Sequence, residues 1–244
     1  MANIILVTSG KGGTGKTTVS QLVSRSICVF DKNVLVVEMD SGLRGLDLMF
    51  GVSDRIVYDL SDLLRGRCRP TQAIVSIETS KGNLHYIAAP FDRHFVFNQA
   101  NLAQLLSGFA VCYDYIILDA AAGLGKGFDV AASVSKTALI VTTCDIVAVR
   151  DAAFASSNLS HLSSRLVINR FSSRQLSGDI PHLDTVIDRI GAQLIAVIPE
   201  DPAVPVACAN GQPLSAGSLA YQAVSDLVAR LMGESVLLNL KQLK

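Results

Sequence analysis

Residues 9–18 read Ser9-Gly10-Lys11-Gly12-Gly13-Thr14-Gly15-Lys16-Thr17-Thr18, and they carry the strongest signal in the sequence. It contains the pattern Gly-x4-Gly-Lys-Ser/Thr, which Gly10, Gly15, Lys16 and Thr17 supply. An apolar run at residues 4–8 precedes it and a helical pattern follows it, as the motif requires. Because glycine accepts positive φ angles, the backbone N–H groups of such a loop can turn inward around phosphate oxygens. The stretch therefore predicts a phosphate-binding loop.

The side chains of this loop have separate expected roles. Lys16 is placed to contact the β- and γ-phosphates, and the Thr17 hydroxyl is placed to bind Mg²⁺. We expect Thr18 near the α-phosphate, where the positive end of the following helix also favours an anion. The predicted binding residues of the loop are Gly12, Gly13, Thr14, Gly15, Lys16, Thr17 and Thr18.

Short apolar runs alternate with amphipathic segments along the rest of the chain. Strands are predicted over residues 4–8, 34–39, 84–88, 115–118, 137–142, 166–168 and 194–198. Helices are predicted over residues 17–30, 101–112, 146–162 and 219–232. Strands that are apolar on successive residues are typical of a parallel sheet buried on both faces. The pattern predicts an α/β fold of the P-loop NTPase kind, with a mostly parallel central sheet and helices on both faces.

Length and composition limit the classes of protein that the chain can belong to. Its 244 residues suit one large domain, and 50% hydrophobic with 17% charged residues argues against disorder. The apolar runs are far shorter than the ~20 residues of a membrane-spanning helix. No basic leader segment is evident and the five cysteines form no CxxC pair, so we expect a cytoplasmic protein with reduced thiols. A formal net charge of zero gives no argument for nucleic-acid binding.

Two carboxylates follow other predicted strands. Asp40 comes just after residues 34–39, and Asp119 comes just after residues 115–118. A carboxylate in such a position can orient an attacking water or hold a metal-bound water. The predicted metal ligands are therefore Thr17, Asp40 and Asp119.

The string from Lys11 to Thr17 resembles the deviant Walker A box of the MinD/ParA family of P-loop ATPases, and the resemblance covers residues 2 to about 232. Residues 38–47 are similar to the family's first switch segment, DxDxGLRNLD, with Glu38 in place of Asp and Gly45 in place of Asn. Residues 119–123 lie on the second switch, D[ST]PAG, where Ala120 and Ala121 replace the hydroxyl residue and the proline. The resemblance implies an ATPase that uses ATP or ADP with Mg²⁺, and these replacements imply slow hydrolysis.

The resemblance also implies roles for particular residues. Lys11 would reach the phosphates of a partner subunit, so that the catalytic residues are Lys11, Lys16 and Asp40. An Asn amide offers a donor and an acceptor to adenine, which Asn169 would supply after the strand at 166–168. Further base contacts would come from a loop similar to the family's IPED segment, formed by Pro199, Glu200 and Asp201. The segment Val149-Arg150-Asp151 resembles the family's dimer and regulator surface.

Residues 1–232 are thus expected to form the ATPase domain, followed by a tail at 233–244. Val236, Leu240 and Leu243 would share one face of a short helix, with Leu237 beside it, which suits an amphipathic membrane-targeting segment. The resemblance implies an ATP-dependent homodimer that positions the cell-division site. It also implies regulatory partners of the MinC and MinE kind or their equivalents, and a peripheral location on the inner face of the plasma membrane.

Several alternatives stay open on the sequence alone. A ParA-like partition ATPase would bind DNA as a dimer, but the C-terminal third has no dense Lys/Arg cluster, so nucleic acid is not expected. A flagellar-number ATPase has the same motifs. An iron–sulfur carrier would need cysteines near the dimer axis, which the isolated Cys112 does not match. A nucleotide-gated scaffold that hydrolyses slowly or not at all would explain Glu38, Ala120 and Ala121.

Overall fold

A computed structural model describes residues 2–172 and 183–238. Within them, eight strands form one sheet in the order β3-β4-β2-β5-β1-β6-β7-β8. The strands are β1 (Asn3–Thr8), β2 (Asn33–Glu38), β3 (Val75–Ile77), β4 (Asn83–Ile87), β5 (Tyr115–Asp119), β6 (Thr137–Thr142), β7 (Ser163–Phe171) and β8 (Gln193–Pro199). All neighbours pair in parallel except β3 and β4. The predicted, mostly parallel sheet is confirmed.

Helices pack on both faces of the sheet. They are α1 (Lys16–Val29), α2 (Leu46–Phe50), α3 (Leu60–Leu64), α4 (Pro70–Ala73), α5 (Gln99–Phe109), α6 (Lys126–Val134), α7 (Ile146–Ser157), α8 (Leu183–Ile190), α9 (Ala203–Ala209) and α10 (Leu219–Leu231), with a 3-10 turn at Ser53–Arg55. One core includes side chains of α1, α2 and α10, and the other includes side chains of α3, α5, α6 and α7.

The strand sequences explain this double layer. Leu6 of β1 lies in the core beneath α5 and α6, whereas its neighbours Ile5 and Val7 lie in the core beneath α1. Because successive side chains of a strand point to opposite faces, a strand buried on both faces must be apolar throughout. The four fully buried residues of β2, Val34 to Val37, show the same pattern.

Some elements were not predicted from the sequence, and each has a local reason. Strand β3 has only three residues and pairs antiparallel with β4 at the edge of the sheet. Helices α2, α3 and α4 have five, five and four residues, which is too short for a periodic pattern. The helix predicted over residues 146–162 ends earlier, at Ser157, where Asn158 forms the C-cap.

The strand order brings the predicted functional residues to one edge. Strands β2, β5 and β1 are neighbours, and Asp119 pairs with Glu38 on one side and with Val7 on the other. All three strands are parallel, so the loops that follow them meet at the carboxyl edge of the sheet. This edge is where parallel α/β sheets bind ligands.

The described part of the tail is not a helix. Residues 234–238 have no regular structure, and Arg230 of α10 donates hydrogen bonds to the carbonyl oxygens of Val236 (2.8 Å), Leu237 (2.7 Å) and Ile195 (2.8 Å). Leu240 and Leu243 lie outside the described residues, so the membrane-targeting helix stays a prediction. No helix among residues 2–172 and 183–238 is long and apolar enough to span a bilayer.

Replacing Arg230 with Ala should release the start of the tail. The change removes three charge-assisted hydrogen bonds to carbonyl groups, which should lower the free energy of unfolding by about 1–3 kcal/mol. Thermolysin should then cleave beside Leu237 several times faster, as intact-mass spectrometry will show. Asp226→Asn is the control, because it removes only the 3.7 Å ion pair to Arg230. Equal cleavage of both variants would contradict the anchoring role.

Candidate functional site

The loop between β1 and α1 has the geometry of a phosphate cradle. Gly13 and Gly15 have φ angles of 82° and 90°, which side-chain-bearing residues rarely adopt. A Cβ on Gly10 would lie 2.0 Å from the carbonyl oxygen of Asp151, so the loop begins in close contact with α7. The Thr14 hydroxyl is buried with no hydrogen-bond partner among the described residues.

Asp119 is the centre of the site. It is completely buried, and its carboxylate accepts hydrogen bonds from Lys16 Nζ (3.1 Å), Thr17 Oγ1 (3.0 Å) and Ser20 Oγ (2.7 Å). Lys16 is itself only 6% exposed, so this is a buried ion pair whose remaining polar groups are satisfied by hydroxyls. The structure thus brings together three predicted residues and adds Ser20, which lies one helical turn beyond Lys16 and was not predicted.

Asp40 lies beside this cluster and is only partly buried. Burial raises the pKa of its carboxyl group, the positive charge of Lys16 lowers it, and the negative charge of Asp119 raises it again, so the net pKa is above the ordinary value. The opposing effects of Lys16 and Asp119 show that Asp40 shares their electrostatic environment. A carboxylate of raised pKa near a phosphate cradle is suited to orienting a water molecule or to accepting a proton from it.

Glu38, which stands where the family pattern has aspartate, binds the backbone of the segment that follows β2. One carboxylate oxygen accepts hydrogen bonds from the backbone N–H groups of Gly45 (2.8 Å) and Leu46 (3.1 Å), at the start of α2. The other oxygen accepts a hydrogen bond from the hydroxyl of Tyr86 on β4. Burial raises the pKa of Glu38 above its ordinary value, although these three hydrogen bonds lower it. The glutamate side chain is one methylene longer than aspartate, and its carboxylate hydrogen-bonds directly to the switch backbone.

The same segment also contacts the residues that follow β4 and the N-cap of α3. Arg44 donates a hydrogen bond to the carbonyl oxygen of Ala89 (2.9 Å) and forms an ion pair with Asp59 (3.0 Å). The N–H group of Gly42 donates to the carbonyl oxygen of Pro90 (2.9 Å). Between these anchors Leu43 is 74% exposed, so the segment presents an apolar side chain to its surroundings.

The second switch region is tied to the phosphate loop through its backbone. The N–H group of Gly123 donates to the carbonyl oxygen of Ser9 (3.2 Å), and that of Ala120 donates to the carbonyl oxygen of Val7 (3.2 Å). A Cβ on Gly12 would lie 3.9 Å from the methyl group of Ala122, so the two loops are neighbours. The alanines contribute no polar side-chain group to the site.

Lys11 lies apart from the buried cluster. It is exposed, and its Nζ forms a 3.3 Å ion pair with Asp145, the N-cap residue of α7. The pKa of Asp145 is lowered first by the hydrogen bond from the N–H group of Ala148 and then by Lys11. The structure therefore does not bring Lys11 to Lys16, and its action on a partner subunit stays a prediction.

The residues predicted for base binding contact the phosphate loop or stabilise a neighbouring loop. The buried Asn169 donates its amide to the carbonyl oxygen of Thr14 (2.9 Å), and a Cβ on Gly15 would lie 2.2 Å from that amide. Arg170, which was not predicted, has a φ angle of 52° and donates to the carbonyl oxygen of Gly13. The end of β7 therefore contacts residues 13–15 of the loop, whereas α7 contacts its start at Gly10.

The 199–201 segment is placed by β-pairing and by a carboxylate network. Pro199 pairs with Phe171, and the N–H group of Glu200 donates to the carbonyl oxygen of Phe171 (2.8 Å). The Asp201 carboxylate accepts hydrogen bonds from Ser218 Oγ (2.6 Å) and from the N–H groups of Ala203 and Ala220. Burial raises the pKa of Asp201, but these hydrogen bonds lower it to a net value below the ordinary one. The hydrogen bonds of the Asp201 carboxylate thus join this loop to the start of α10.

The residues of the site fit a magnesium nucleotide. Thr17 and Asp119 offer hard oxygen ligands 3.0 Å apart, which Mg²⁺ prefers. Among the described residues, no cluster of three or more His, Cys, Asp or Glu side chains could hold a metal by itself. Mg²⁺ is commonly bound by one or two protein ligands together with waters and substrate phosphates, so this sparse set suits it.

Comparison with known proteins agrees with this geometry. Residues 5–214 match the family model described as the CobQ/CobB/MinD/ParA nucleotide binding domain. The chain is 32% identical to the septum site-determining protein MinD of Bacillus subtilis, over 97% of this chain and 91% of that protein. It superposes with a TM-score of 0.86 on a chain of the MinC:MinD cell division protein complex of Aquifex aeolicus, at 32% identity over 98% of this chain and 99% of that one. The Pyrococcus horikoshii MinD complexed with Mg-ADP gives a TM-score of 0.82 at 28% identity, covering 95% and 96% of the two chains.

Glu38→Gln should change how stability depends on pH. Because burial raises the pKa of Glu38, the protonated carboxyl favours the folded state, and its stabilising contribution is lost as pH rises through the folded-state pKa. The glutamine side chain of the variant cannot ionise, so the stability of the variant relative to the parent should increase as pH rises above the ordinary pKa of glutamate. Urea unfolding at several pH values measures this difference. Glu78→Gln, at an exposed position, is the control; a flat difference for Glu38→Gln would refute the raised pKa.

Proposed function

The chain belongs to the CobQ/CobB/MinD/ParA nucleotide-binding family, and we propose that it is a MinD-like ATPase that controls the position of the cell-division site. It binds Mg-ATP, dimerises around the nucleotide and hydrolyses it. The observation that carries the proposal is the buried contact of Lys16 and Thr17 with Asp119 at the carboxyl edge of the sheet. Full-length similarity to MinD of Bacillus subtilis supports the cellular role.

The phosphate loop and β7 hold the nucleotide in this proposal. Lys16 binds the β- and γ-phosphates, the loop N–H groups from Gly12 to Thr18 surround the phosphate oxygens, and Asn169 lies beside the base. Thr17 and Asp119 hold Mg²⁺, with Asp40 near the metal-bound waters. The ion, when bound, neutralises charge on the phosphate oxygens. Support comes from the relative of Pyrococcus horikoshii, which was solved with Mg-ADP.

Two groups are proposed to act on the terminal phosphate. Asp40 orients the attacking water, and its raised pKa suits a group that handles a proton. Lys11 serves the site of the partner subunit. Its ion pair with Asp145 is exposed on both sides, so solvent screens it and Lys11 can leave Asp145 readily.

A nucleotide-gated scaffold is the second candidate. Ala120 and Ala121 give the second switch no hydroxyl and no proline, and that loop meets the phosphate loop only through backbone hydrogen bonds. A scaffold of this kind would still form an ATP-dependent dimer but would release phosphate slowly or not at all. Turnover and dimerisation must therefore be measured separately.

Asp40→Ala should bind ATP, lose turnover and accumulate as an ATP-bound dimer, whereas Lys11→Ala should bind ATP and dimerise weakly. If Lys11 acts in trans, mixing the two inactive variants should restore turnover. Random mixing would make about half of the dimers mixed, and each holds one complete site, so the restored rate should approach at most about a quarter of the parental rate. Phosphate release measures turnover, and light scattering measures dimerisation.

Two further variants make this result interpretable. Lys16→Ala should abolish nucleotide binding, because it removes the buried positive charge next to Asp119. Lys81→Ala, at an exposed position outside the site, should leave both properties unchanged. Mixed subunits that stay inactive would place Lys11 in its own site, and an active parent with an inactive Asp40→Ala variant would exclude the scaffold.

A membrane surface and a MinC-type regulator are the proposed partners. The solved MinC:MinD complex of Aquifex aeolicus supports the regulator. Its contact surface would include Arg150 and the neighbouring side chains of α7, where Ile146 is 59% and Phe154 is 65% exposed. For the membrane, one weakly apolar tail binds marginally, but two tails on an ATP-bound dimer act together and can gain ~10²–10⁴ in avidity.

The tail proposal predicts that the protein pellets with anionic vesicles in ATP but not in ADP. Leu237 is 88% exposed, and Leu237→Glu should reduce pelleting severalfold, because it places a charge where an apolar side chain enters the bilayer. Val111→Glu is the matched control, since Val111 is also 88% exposed but lies on the body of the protein. Equal pelleting of parent and Leu237→Glu protein would make the tail irrelevant to the membrane.

A further inference from the structure

A cavity lies away from the phosphate loop. It has a volume of about 730 Å³ and lies between the C-terminal half of α1, the end of α2, the segment after β3 and the loop at 210–216. No residue of the phosphate loop, the two switch segments or the 199–201 loop lines it. Its volume is within the ~300–1,000 Å³ typical of small-molecule sites.

The cavity contains a guanidinium group that has no anionic partner within residues 2–172 and 183–238. Arg25 of α1 donates hydrogen bonds to the carbonyl oxygens of Glu78 (3.2 Å) and Gly211 (3.1 Å). Its Nε is buried and has no hydrogen-bond partner among the described residues, and none of their carboxylates lies within ion-pair distance of it. Burial lowers the pKa of Arg25. A cation that has lost water and gained only carbonyl dipoles is a natural partner for an anion.

The other charges of the cavity leave a positive balance. Arg55 also lines it, is exposed and forms no ion pair within the described part of the chain. Among the described residues that line the cavity, Glu78 is the one acidic residue, and it is exposed. Two cations and one carboxylate favour an anionic ligand over a cationic or neutral one.

The remaining wall is mixed, with polar side chains such as Thr79 and Asn210 beside an apolar part. The guanidinium carbon of Arg25 lies 5.5 Å from the centre of the Phe50 ring, so the charged group and an aromatic surface occur together. Leu22, Ile77, Leu214 and Val224 complete the apolar surface around them. Such a site can hold a ligand with one charged end and an apolar body.

We propose that this cavity binds a small organic anion, with its carboxylate, sulfonate or phosphate group on Arg25 and its apolar body against Phe50. The same ligand chemistry could come from a free metabolite or a detached lipid fragment, and both would use these contacts.

The position of the cavity couples it to the nucleotide site, a consequence that rests on the proposed function. Arg25 lies on α1, which begins at Lys16, and Phe50 ends α2, whose first N–H groups are held by Glu38. A Cβ on Gly211 would lie 2.7 Å from the Cα of Gly51, so the 210–216 loop is in backbone contact with the end of α2. An occupant would therefore favour one position of α2, and with it one position of the first switch.

The test compares two fluorescent probes that share a body but differ in charge. These are 1-anilinonaphthalene-8-sulfonate and the neutral N-phenyl-1-naphthylamine, titrated into the full chain without nucleotide. We expect one saturable sulfonate site per chain. Arg25→Gln should weaken the sulfonate about tenfold, the loss of one charge-assisted contact, and leave the neutral probe unchanged. Arg69→Gln, at an exposed arginine outside the cavity, is the matched control.

A second variant keeps the result decisive if Arg25→Gln folds poorly. Ala216 is exposed and lines the cavity, so Ala216→Trp should fill it and abolish binding of both probes without lowering Tm. Lys16→Ala should leave probe binding intact, which separates this cavity from the phosphate loop. Equal binding of the two probes, a sulfonate site that survives both cavity variants, or one lost with Lys16→Ala would overturn the proposal.

The coupling has its own readout. Saturating sulfonate should change the affinity for MgADP, and MgADP should change the affinity for the sulfonate by the same factor. Equal affinities with and without the second ligand would overturn the coupling. Since the probe titrations contain no nucleotide, a chain that fails to bind MgADP would overturn the proposed ATPase function but not the cavity site.

Discussion

The site depends on one buried negative charge, that of Asp119. A fully buried carboxylate is costly unless it is paired and hydrogen-bonded, and here Lys16, Thr17 and Ser20 of α1 satisfy it together. A phosphate that attracted Lys16 away would leave Asp119 short of positive charge. A divalent cation on Thr17 and Asp119 would restore it, so we expect the nucleotide and Mg²⁺ to bind together. The ion pair between Lys16 and Asp119 therefore keeps the ligand-free site stable.

A second buried carboxylate, Glu38, lies beside Asp119 on the neighbouring strand and has a different task. Its partners are two backbone N–H groups of the first switch and the hydroxyl of Tyr86, and none of them carries a charge. Hydrogen bonds compensate only part of the desolvation, which is why its pKa is raised. Aspartate would be shorter by one methylene, so the exchange for glutamate brings the carboxylate closer to Gly45 and ties the switch to β2.

The sequence predicted the parts of this site that local spacing specifies. The phosphate loop, Asp40 and Asp119 follow from motifs at strand ends, and the helix after the loop follows from its apolar face. Ser20, Tyr86 and Arg170 could not be found in this way, because their roles depend on which elements meet in the folded chain. The edge strand β3 and the short helices α2 to α4 were missed because three to five residues carry no readable period.

The two lysines of the loop differ in burial and in the partner that each one has. Lys16 is enclosed and paired with a buried carboxylate, so its position is set by the fold of one chain. Lys11 is exposed, and water and salt screen its contact with Asp145. Asp145 also caps α7 through the N–H group of Ala148, so it keeps a hydrogen bond when Lys11 departs. In the proposed dimer, a side chain held this loosely would move to a phosphate of the second subunit at little cost. Breaking its ion pair leaves no buried charge behind, because Lys11 and Asp145 are both exposed.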